Sequence, residues 1–343
     1  MSYLNNAATT ALKPETVKTA GPATIKDVQE RMAKLVKCKN PENIVMTSSG
    51  KEAIRAAVLS FVKPGDHVIS TDIEYKAVLD ALTEAGCEVT FIPVNVYGKL
   101  KYELIEDAVR ENTKAIVCCH GSNVTGNITD LDLVGTIARR HKLMVIADAA
   151  QTVGATEIDM ETLQLDVLCF TGHKKLMGPY GTGGVCLRQG LQLDPEVVEK
   201  VVNTPSEEKL GQLAAALDFI FEKGQYGVAM LPHRLAKRFF EATKSMTDVT
   251  VYGDFGTNVR VPNVTINVKG HTAEEVKNVM RKNHIAVKAG TFDAPRLAKS
   301  LGIEENGAVR FSFGYFNTRM EVNDAIWVLM QIQGLTDLHY LAY

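Results

Sequence analysis

A repeated alternation of short apolar runs with helical patterns constrains the fold of this chain more than any other feature. Between about residues 43 and 187 the apolar runs are, in order, IVMTSS, HVIST, EVTFIPV, AIVCCH and LMVIAD. Helical patterns lie between them and begin near Gly50, Glu74, Tyr102 and Asp130. This rhythm is typical of a mostly parallel sheet covered by helices on both faces. We therefore predict an α/β fold with its ligand site at the carboxyl ends of the strands.

The pattern changes after Gly190. Two long helical stretches, at about 206 to 222 and 226 to 245, precede the strand-like runs VTVYGD, NVRVP, VTINVKG and VRFSFG and a last helix from Arg319. This order indicates a smaller α+β C-terminal domain, as expected for a chain of 343 residues. We assign residues 15–222 to the large α/β domain, and residues 1–14 and 223–343 to the small one.

Composition and charge exclude several classes of function. The chain has 38 basic and 40 acidic residues, with no long run of either sign. We therefore expect neither a nucleic-acid partner nor a membrane partner. The N-terminal residues MSYLNNAATT lack the features of a secretion signal, so we expect a cytoplasmic protein.

The six cysteines show neither CxxC spacing nor the density of a disulfide scaffold. We expect no metal site and no disulfide. Cys118, Cys119, Cys169 and Cys186 fall in predicted strands and are interpreted as core residues.

The segment TGHKKLMGPYGTGG places Lys174 after the predicted strand DVLCF and before a glycine-rich turn. A lysine at a strand end can lose hydration and become a nucleophilic amine. Taken alone, Lys174 and Lys175 are equally compatible with an ordinary solvated pair.

Asp148 ends the apolar run LMVIAD, which is typical of a buried central strand. An unpaired carboxylate there costs several kcal/mol, so we expect a cationic partner. That partner is an arginine, a lysine or the protonated pyridine nitrogen of pyridoxal phosphate (PLP), which would make the cofactor ring an electron sink.

In MTSSGKEAI a strand leads through small residues into a helix, an arrangement that binds phosphate with backbone N–H groups and the helix dipole. Ser49, Gly50 and Lys51 would be the donors. The same residues also fit an ordinary helix N-cap.

Eight motifs occur in the same order as in a known family: YLNNAATT, SSGKEA, IEYKAVLD, HGSNVTG, ADAAQTVG, TGHKKLMGPYGTGG, NTPSE and AVRFSFGYFNT. Over nearly its whole length the chain resembles the class V aminotransferase family of fold-type I PLP enzymes, and specifically its cysteine desulfurase-like branch. The resemblance implies a fold-type I PLP-dependent transferase, with PLP as cofactor and a small-molecule amino acid as substrate.

The resemblance also implies the role of individual residues. Lys174 is the Schiff-base lysine, Asp148 is the partner of the pyridine nitrogen, and Tyr75 stacks on the ring where relatives usually have a histidine. Gln151 and Asn123 lie near the ring hydroxyl. The phosphate is held by Ser49, Gly50, Lys51, Thr171 and His173.

Three further roles follow from the same resemblance. Thr204 matches a residue that reaches the phosphate of the neighbouring subunit, which implies a homodimer. Arg310 matches the arginine that binds the substrate carboxylate. Asn6, in the first motif, is a substrate-binding residue.

The chain departs from the desulfurase pattern at the loop with the catalytic cysteine. Relatives have roughly Arg-x-Gly-x-His-Cys-Ala, whereas this chain has KAGTFDAP, with Lys288, Phe292 and Asp293 at the arginine, histidine and cysteine positions. A carboxylate cannot form a persulfide. Asp293 would be an acid–base group or, more commonly for this pattern, the N-cap of a helix in APRLAKSL.

These observations favour a PLP enzyme that acts on an amino acid by transamination or β-elimination. Two alternatives stay open. One is a cysteine desulfurase that uses a cysteine from elsewhere. The other is a non-catalytic homologue that binds PLP.

Overall fold

The computed structural model describes residues 1–11, 13–257 and 259–335. This part of the chain forms three sheets, of seven, four and two strands. We call the first the larger or large sheet. Its strands are β2 (Ile44–Thr47), β3 (His67–Thr71), β4 (Glu88–Ile92), β5 (Thr113–Cys119), β6 (Met144–Asp148), β7 (Val167–Thr171) and β8 (Gly183–Leu187).

The order across the larger sheet is β2-β8-β7-β6-β5-β3-β4. Strands β4, β3, β5, β6 and β7 run parallel to one another, whereas β8 is antiparallel to both β7 and β2. The predicted mostly parallel α/β sheet is therefore confirmed. Strands β3, β7 and β8 are buried along their whole length, as expected where helices cover both faces of a sheet.

Helices separate the strands, as the alternation predicts. They are α1 (Glu15–Lys18), α2 (Ile25–Val36), α3 (Gly50–Phe61), α4 (Lys76–Ala85), α5 (Leu104–Asp107), α6 (Leu131–Arg140), α7 (Pro195–Val201), α8 (Glu207–Lys223), α9 (Gln225–Lys244), α10 (Ala273–Lys282), α11 (Pro295–Ser300) and α12 (Arg319–Ile332), with a short 3₁₀ helix at Pro41–Asn43. The two long helices predicted after Gly190 are α8 and α9.

The smaller sheet is antiparallel, with the order β12-β13-β10-β9. Its strands are β9 (Val249–Tyr252), β10 (Asn263–Val268), β12 (Lys288–Gly290) and β13 (Ala308–Ser312). The prediction of a strand at NVRVP is wrong, since Arg260 makes only an isolated bridge with Asn127. Pro262 has no N–H to donate to a ladder, and the Arg260 guanidinium donates to the Thr125 carbonyl across the segment.

The N-terminal residues contact the C-terminal part of the chain. β1 (Ser2–Tyr3) pairs in parallel with β11 (Ile285–Ala286). The boundary that we predicted between residues 222 and 223 falls at the end of α8, beside Gly224. The division into two domains stays a prediction.

Four of the six cysteines lie in strands of the large sheet and are buried, namely Cys118, Cys119, Cys169 and Cys186. All six are free thiols. Among the described residues no cluster of acidic, histidine or cysteine side chains has the arrangement of a metal site. Within the same residues no helix is both long enough and apolar enough to cross a membrane.

Candidate active site

A cavity of about 280 Å³ opens at the carboxyl ends of the large-sheet strands and extends to the small sheet. Eleven of the predicted site residues line it. They are Ser49, Gly50, Lys51, Tyr75, Asn123, Asp148, Gln151, Thr171, His173, Lys174 and Arg310. The structure does not bring the other two, Asn6 and Thr204, into the cavity lining.

Asp148 and Lys174 share this cavity because their strands are neighbours. Asp148 is the last residue of β6, and Lys174 follows the adjacent parallel strand β7. The Ala150 N–H donates to Oδ1 of Asp148 at 3.0 Å. Burial raises the pKa of Asp148, and the nearby Lys174 ammonium opposes this shift. Burial likewise lowers the pKa of Lys174 against the attraction of Asp148. Lys174 is therefore a better nucleophile near neutral pH than a solvated lysine.

Lys175 has a different environment from Lys174. It is 7% exposed and does not line the main cavity. Its Nζ donates to the carbonyl oxygen of Phe313 at 3.3 Å. The consecutive lysines are thus not the solvated pair that the bare sequence allows.

The start of α3 has the features of a phosphate site. Ser49 is the N-cap, and its Oγ accepts from the Glu52 N–H at 3.2 Å. Lys51 lies in the first turn, where a cation opposes the helix dipole unless an anion is bound there. Ser49, Gly50 and Lys51 all border the cavity.

Two glycines keep this corner compact. A Cβ on Gly50 would lie 3.1 Å from Cβ of Thr171, and one on Gly183 would lie 2.5 Å from the Ser49 carbonyl carbon. The backbone of α3 therefore approaches the ends of β7 and β8 more closely than other side chains allow. Such an approach fits a phosphate cradle formed by main-chain donors.

Thr171 and His173 complete this side of the cavity. Oγ1 of Thr171 and Nδ1 of His173 are 2.9 Å apart. The His173 ring stacks on Tyr180, with 4.4 Å between ring centroids. Burial lowers the pKa of His173 to about 4, so the ring is neutral at physiological pH.

In the Gln151 side chain, one polar atom is hydrogen-bonded and the other is without a partner. Its Nε2 donates to the Ala7 carbonyl at 2.9 Å, and its Oε1 is buried without a partner. A buried acceptor without a donor is costly, and the ring hydroxyl of PLP is a donor of the required kind. Tyr75 also fits the cofactor, because its ring lies 5.8 Å from Nζ of both Lys51 and Lys174.

Asn123 lines the cavity but is already hydrogen-bonded. Its Nδ2 donates to the Phe292 carbonyl at 2.8 Å. Its own main-chain carbonyl accepts from Nη1 of Arg310 at 2.8 Å. Asn123, in the loop after β5, therefore joins that loop to the loop after β12, a contact that the resemblance did not indicate.

Arg310, on β13, is 3% exposed and has an incomplete set of partners. Its Nη2 donates to Oδ1 of Asn5 at 3.2 Å, while Nε is buried without a partner. Burial lowers the pKa of Arg310 to about 10, and the side chain stays charged at neutral pH. A bound carboxylate would supply the missing acceptor.

The Asn6 side chain is hydrogen-bonded within the protein. Its Nδ2 donates to the carbonyl of Ser312 at 3.1 Å and to Oδ1 of Asn317 at 2.9 Å. These bonds tie the N-terminal segment to the end of β13. Its neighbour Asn5 is the N-terminal asparagine that contacts Arg310.

Thr204 is exposed and lies outside the cavity of its own chain. The preceding Asn203 is held to α3, because its N–H and Nδ2 each donate to the Glu52 carboxylate at 3.1 Å. The loop therefore starts beside the phosphate end of α3.

The prediction that Asp293 caps a helix is wrong. The N-cap of α11 is Ala294, which makes no side-chain cap bond, and Asp293 has a left-handed φ of 55° in place of the extended conformation typical of an N-cap. Asp293 instead lines the cavity, where its Oδ2 accepts from the Tyr75 hydroxyl at 3.4 Å.

Two residues of this site had no clear signal in the sequence. Glu74 is fully buried below the cavity, where its Oε1 accepts from the Cys119 N–H at 2.9 Å and burial raises its pKa to about 8. Cys119 lines the cavity floor beside Asp148. Glu74 lies in IEYKAVLD, which resembles an ordinary helix start, and Cys119 ends a uniformly apolar strand.

Fold and site together define a class of protein. A seven-stranded, mostly parallel sheet presents a half-buried lysine, a half-buried aspartate and a glycine-lined helix start to one cavity, as in a PLP enzyme. The residues present fit the cofactor, because Gln151 has an unpaired acceptor and α3 offers an anion site.

Comparison with known proteins gives the family. The model of the family described as Aminotransferase class-V matches residues 3–324, so the chain belongs to that family of PLP-dependent enzymes. PLP is its cofactor. The chain falls in the cysteine desulfurase-like branch of the family.

Individual relatives and a solved structure support the same family. The chain is 27% identical over 344 residues to the cysteine desulfurase IscS of Vibrio vulnificus, with 90% of this chain and 81% of the relative covered. It is 30% identical over 325 residues to IscS of Vibrio campbellii, with 87% and 78% covered. The apo structure of a cysteine desulfurase from Thermococcus onnurineus NA1 superposes with a TM-score of 0.87 at 26% identity, with 97% and 95% covered. The predicted fold-type I architecture is confirmed.

Proposed function

We propose that the chain removes the α-proton of an amino acid and completes either a transamination or a β-elimination, and that it does not release sulfur through a protein persulfide. One observation supports this above all others. The loop after β12 lines the cavity with Phe292 and Asp293. The carboxylate Asp293 stands at the position where the resemblance places the desulfurase thiol.

The residues of the chain have distinct parts in this proposal. Arg310 holds the substrate carboxylate with its available donors, and the Lys174 amine accepts the α-proton. When bound, PLP supplies an electron sink for the charge left at the α-carbon. Asp148 would face the pyridine nitrogen of bound PLP and favour its protonated form. Tyr75 would support the ring face, and Gln151 would accept from the ring hydroxyl.

The loop that contains Asp293 is held in place by hydrogen bonds. A fixed loop is poorly suited to carry a sulfur atom away from the substrate. Phe292 and Asp293 have φ angles of 60° and 55°, a left-handed region that costs non-glycine residues about 1–2 kcal/mol each. Contacts compensate for this strain. The Phe292 carbonyl accepts from Asn123, and the Asp293 carbonyl accepts from the Lys76 N–H at 2.7 Å.

No other thiol of the described residues is a good substitute. Cys119 is the cysteine that lines the cavity, and it is 6% exposed. Its Sγ donates to the Gly121 carbonyl at 3.0 Å, and burial together with Asp148 and Glu74 raises the pKa of the thiol well above its ordinary value. A persulfide carrier needs an accessible thiolate.

The remaining assignments belong to the same proposal. Ser49, Gly50, Lys51, Thr171 and His173 hold the phosphate, and Asn123 lies beside the ring. Thr204 reaches the cofactor phosphate of a second subunit in a homodimer. Asn6 would affect substrate binding only through the N-terminal segment that positions Asn5. We place the enzyme in the cytoplasm.

The test is to incubate the PLP-loaded enzyme with cysteine and to assay alanine, sulfide, pyruvate and protein persulfide. Pyruvate with sulfide and no persulfide identifies β-elimination. A keto acid formed together with the amine form of the cofactor, for any amino acid in a panel, identifies transamination. Rapid alanine formation with a persulfide on any cysteine would overturn the proposal. Absence of product and of any spectral response to the panel would indicate a non-catalytic homologue.

A further inference from the structure

A second cavity lies behind the active site, on the side of the chain opposite Lys174. It has a volume of about 20 Å³ and is lined in part by Thr10, Lys175, Ala229, His233 and Tyr315. A space of this size is sufficient for one water-sized particle. Lys175 is the lysine at its wall.

Lys175 is a buried amine with few partners. Only 7% of the residue is exposed, and its single hydrogen bond, to the Phe313 carbonyl, has a length of 3.3 Å. An ammonium group has three donors. No carboxylate of the described residues lies within ion-pair distance of Lys175, and the charged neighbours that influence it, Arg310 and Lys174, are both cations.

The opposite wall of the cavity adds another group that favours an anion. His233, on α9, is partly buried, and its ring makes no hydrogen bond within the described part of the chain. Its charged neighbours are Lys175 and Arg260. Burial lowers the pKa of His233 to about 4, so its neutral ring offers one N–H donor at physiological pH.

A larger groove adjoins this cavity. The groove has a volume of about 650 Å³ and shares Ala155, Ala229 and His233 with the small cavity. Its lining includes Arg234, Lys237 and Arg260, with Glu241 as the acid among the lining residues. The groove therefore presents an excess of positive charge next to the small cavity.

We propose that the cavity beside Lys175 and His233 binds one small monovalent anion of the size of chloride. A buried cation is stable when it is paired with an opposite charge or lies against several acceptors. Among the described residues the Lys175 ammonium has neither an opposite charge nor several acceptors, whereas the neighbouring space of about 20 Å³ can hold a single monatomic ion. The site is separate from the cavity lined by Lys174, so its occupancy does not depend on the proposed reaction.

The test measures the thermal unfolding of PLP-loaded enzyme at about pH 6. Samples contain sodium chloride or sodium gluconate at the same ionic strength, because gluconate is too large for the cavity. We expect chloride to raise Tm by about 2–4 °C relative to gluconate. Crystals grown in bromide should show an anomalous peak in the cavity beside Nζ of Lys175.

Two variants locate the effect. Lys175→Met removes the cation, and Ala229→Val fills the space without a change in charge. Both should lose the difference between chloride and gluconate, whereas Lys200→Met, at an exposed position of α7, should keep it. Equal Tm values of the wild-type enzyme in the two salts would overturn the proposal. So would a chloride effect that persists in Lys175→Met, or a cavity that holds only water in bromide crystals. If Lys175→Met does not fold, Ala229→Val and the bromide crystals still decide the question.

Discussion

The side-chain amide of Asn123 donates a hydrogen bond of 2.8 Å to the main-chain carbonyl of Phe292. These residues are far apart in the sequence, in the loop after β5 and in the loop after β12. The bond holds Asp293 at the edge of the cavity, 3.4 Å from the Tyr75 hydroxyl. A carboxylate in a fixed position suits contact with a bound substrate better than transport of a group away from the site.

Loss of that bond should loosen the loop. Asn123→Ala leaves the Phe292 carbonyl without its partner and removes support for two left-handed residues. We expect a loss of about 1–3 kcal/mol in the free energy of unfolding. Hydrogen exchange should become faster at residues 291–294. Asn112→Ala, which removes an exposed bond to the Gly65 carbonyl, is the control. Unchanged exchange at the loop would contradict its proposed support by Asn123.

Removal of the Asp148 charge should separate cofactor binding from catalysis. Asp148→Asn keeps the size of the side chain but does not keep the pyridine nitrogen protonated. We expect covalent PLP to remain, while the rate of α-proton exchange with solvent falls on the order of 10²–10³. Exchange is followed by NMR in deuterated water with the best amino acid of the panel. A rate close to that of the wild type would exclude the proposed role of Asp148.

The sequence predicted the large sheet well because its signal is local. Each strand is an apolar run and each helix has its own periodicity, so the order of elements follows without tertiary information. The carboxyl ends of parallel strands lie on one edge, which is why Asp148 and Lys174 were expected together. The prediction of a strand at NVRVP is wrong because its β-like composition does not show the effect of Pro262 and the Arg260 side chain. These residues prevent the hydrogen bonds of a β-ladder.

Other features of the site depend on contacts between distant segments. Asp293 precedes a helix, so local statistics favour a cap, but its left-handed backbone makes Ala294 the N-cap and leaves the Asp293 side chain at the cavity. The assignment of Asn6 followed the motif, whereas the path of the N-terminal segment beside β13 presents Asn5 to Arg310. Glu74 is buried where its carboxylate accepts from the N–H of Cys119, a residue distant in the sequence, and no local pattern encodes this contact.

Lys175 should produce a distinct pH dependence of stability. Burial lowers its pKa from 10.5 to about 7 in the folded state. Between these values the unfolded chain binds a proton that the native chain lacks, so stability rises with pH, by at most ~1.4 kcal/mol per pH unit.

Glu74 produces a pH dependence of stability with the opposite sign. Burial raises its pKa from 4.5 to about 8, so stability falls as pH rises through that window.

Denaturant titrations in gluconate test the rise in stability that Lys175 causes. Between about pH 8 and pH 10 the free energy of unfolding of Lys175→Met should rise less than that of the wild type. An identical slope in the two proteins would mean that buried Lys175 stays protonated.

Thr204 gives a prediction about assembly. If it contacts the phosphate site of a second subunit, the PLP-loaded enzyme should sediment as a dimer, and Thr204→Val should weaken PLP affinity while the dimer persists. Thr162→Val, at a surface turn of the large domain, is the control. A monomer that binds PLP tightly would rule out a shared site.

The central claim is that Lys174 binds PLP covalently in an enzyme of this family. The direct measurement is reduction of the PLP-loaded protein with borohydride, followed by peptide mass spectrometry, for the wild type and for Lys174→Ala and Lys175→Ala. We expect a pyridoxyl group on Lys174 in the wild type and in Lys175→Ala, and none in Lys174→Ala. A pyridoxyl group on Lys175, or its retention after removal of Lys174, would contradict the account.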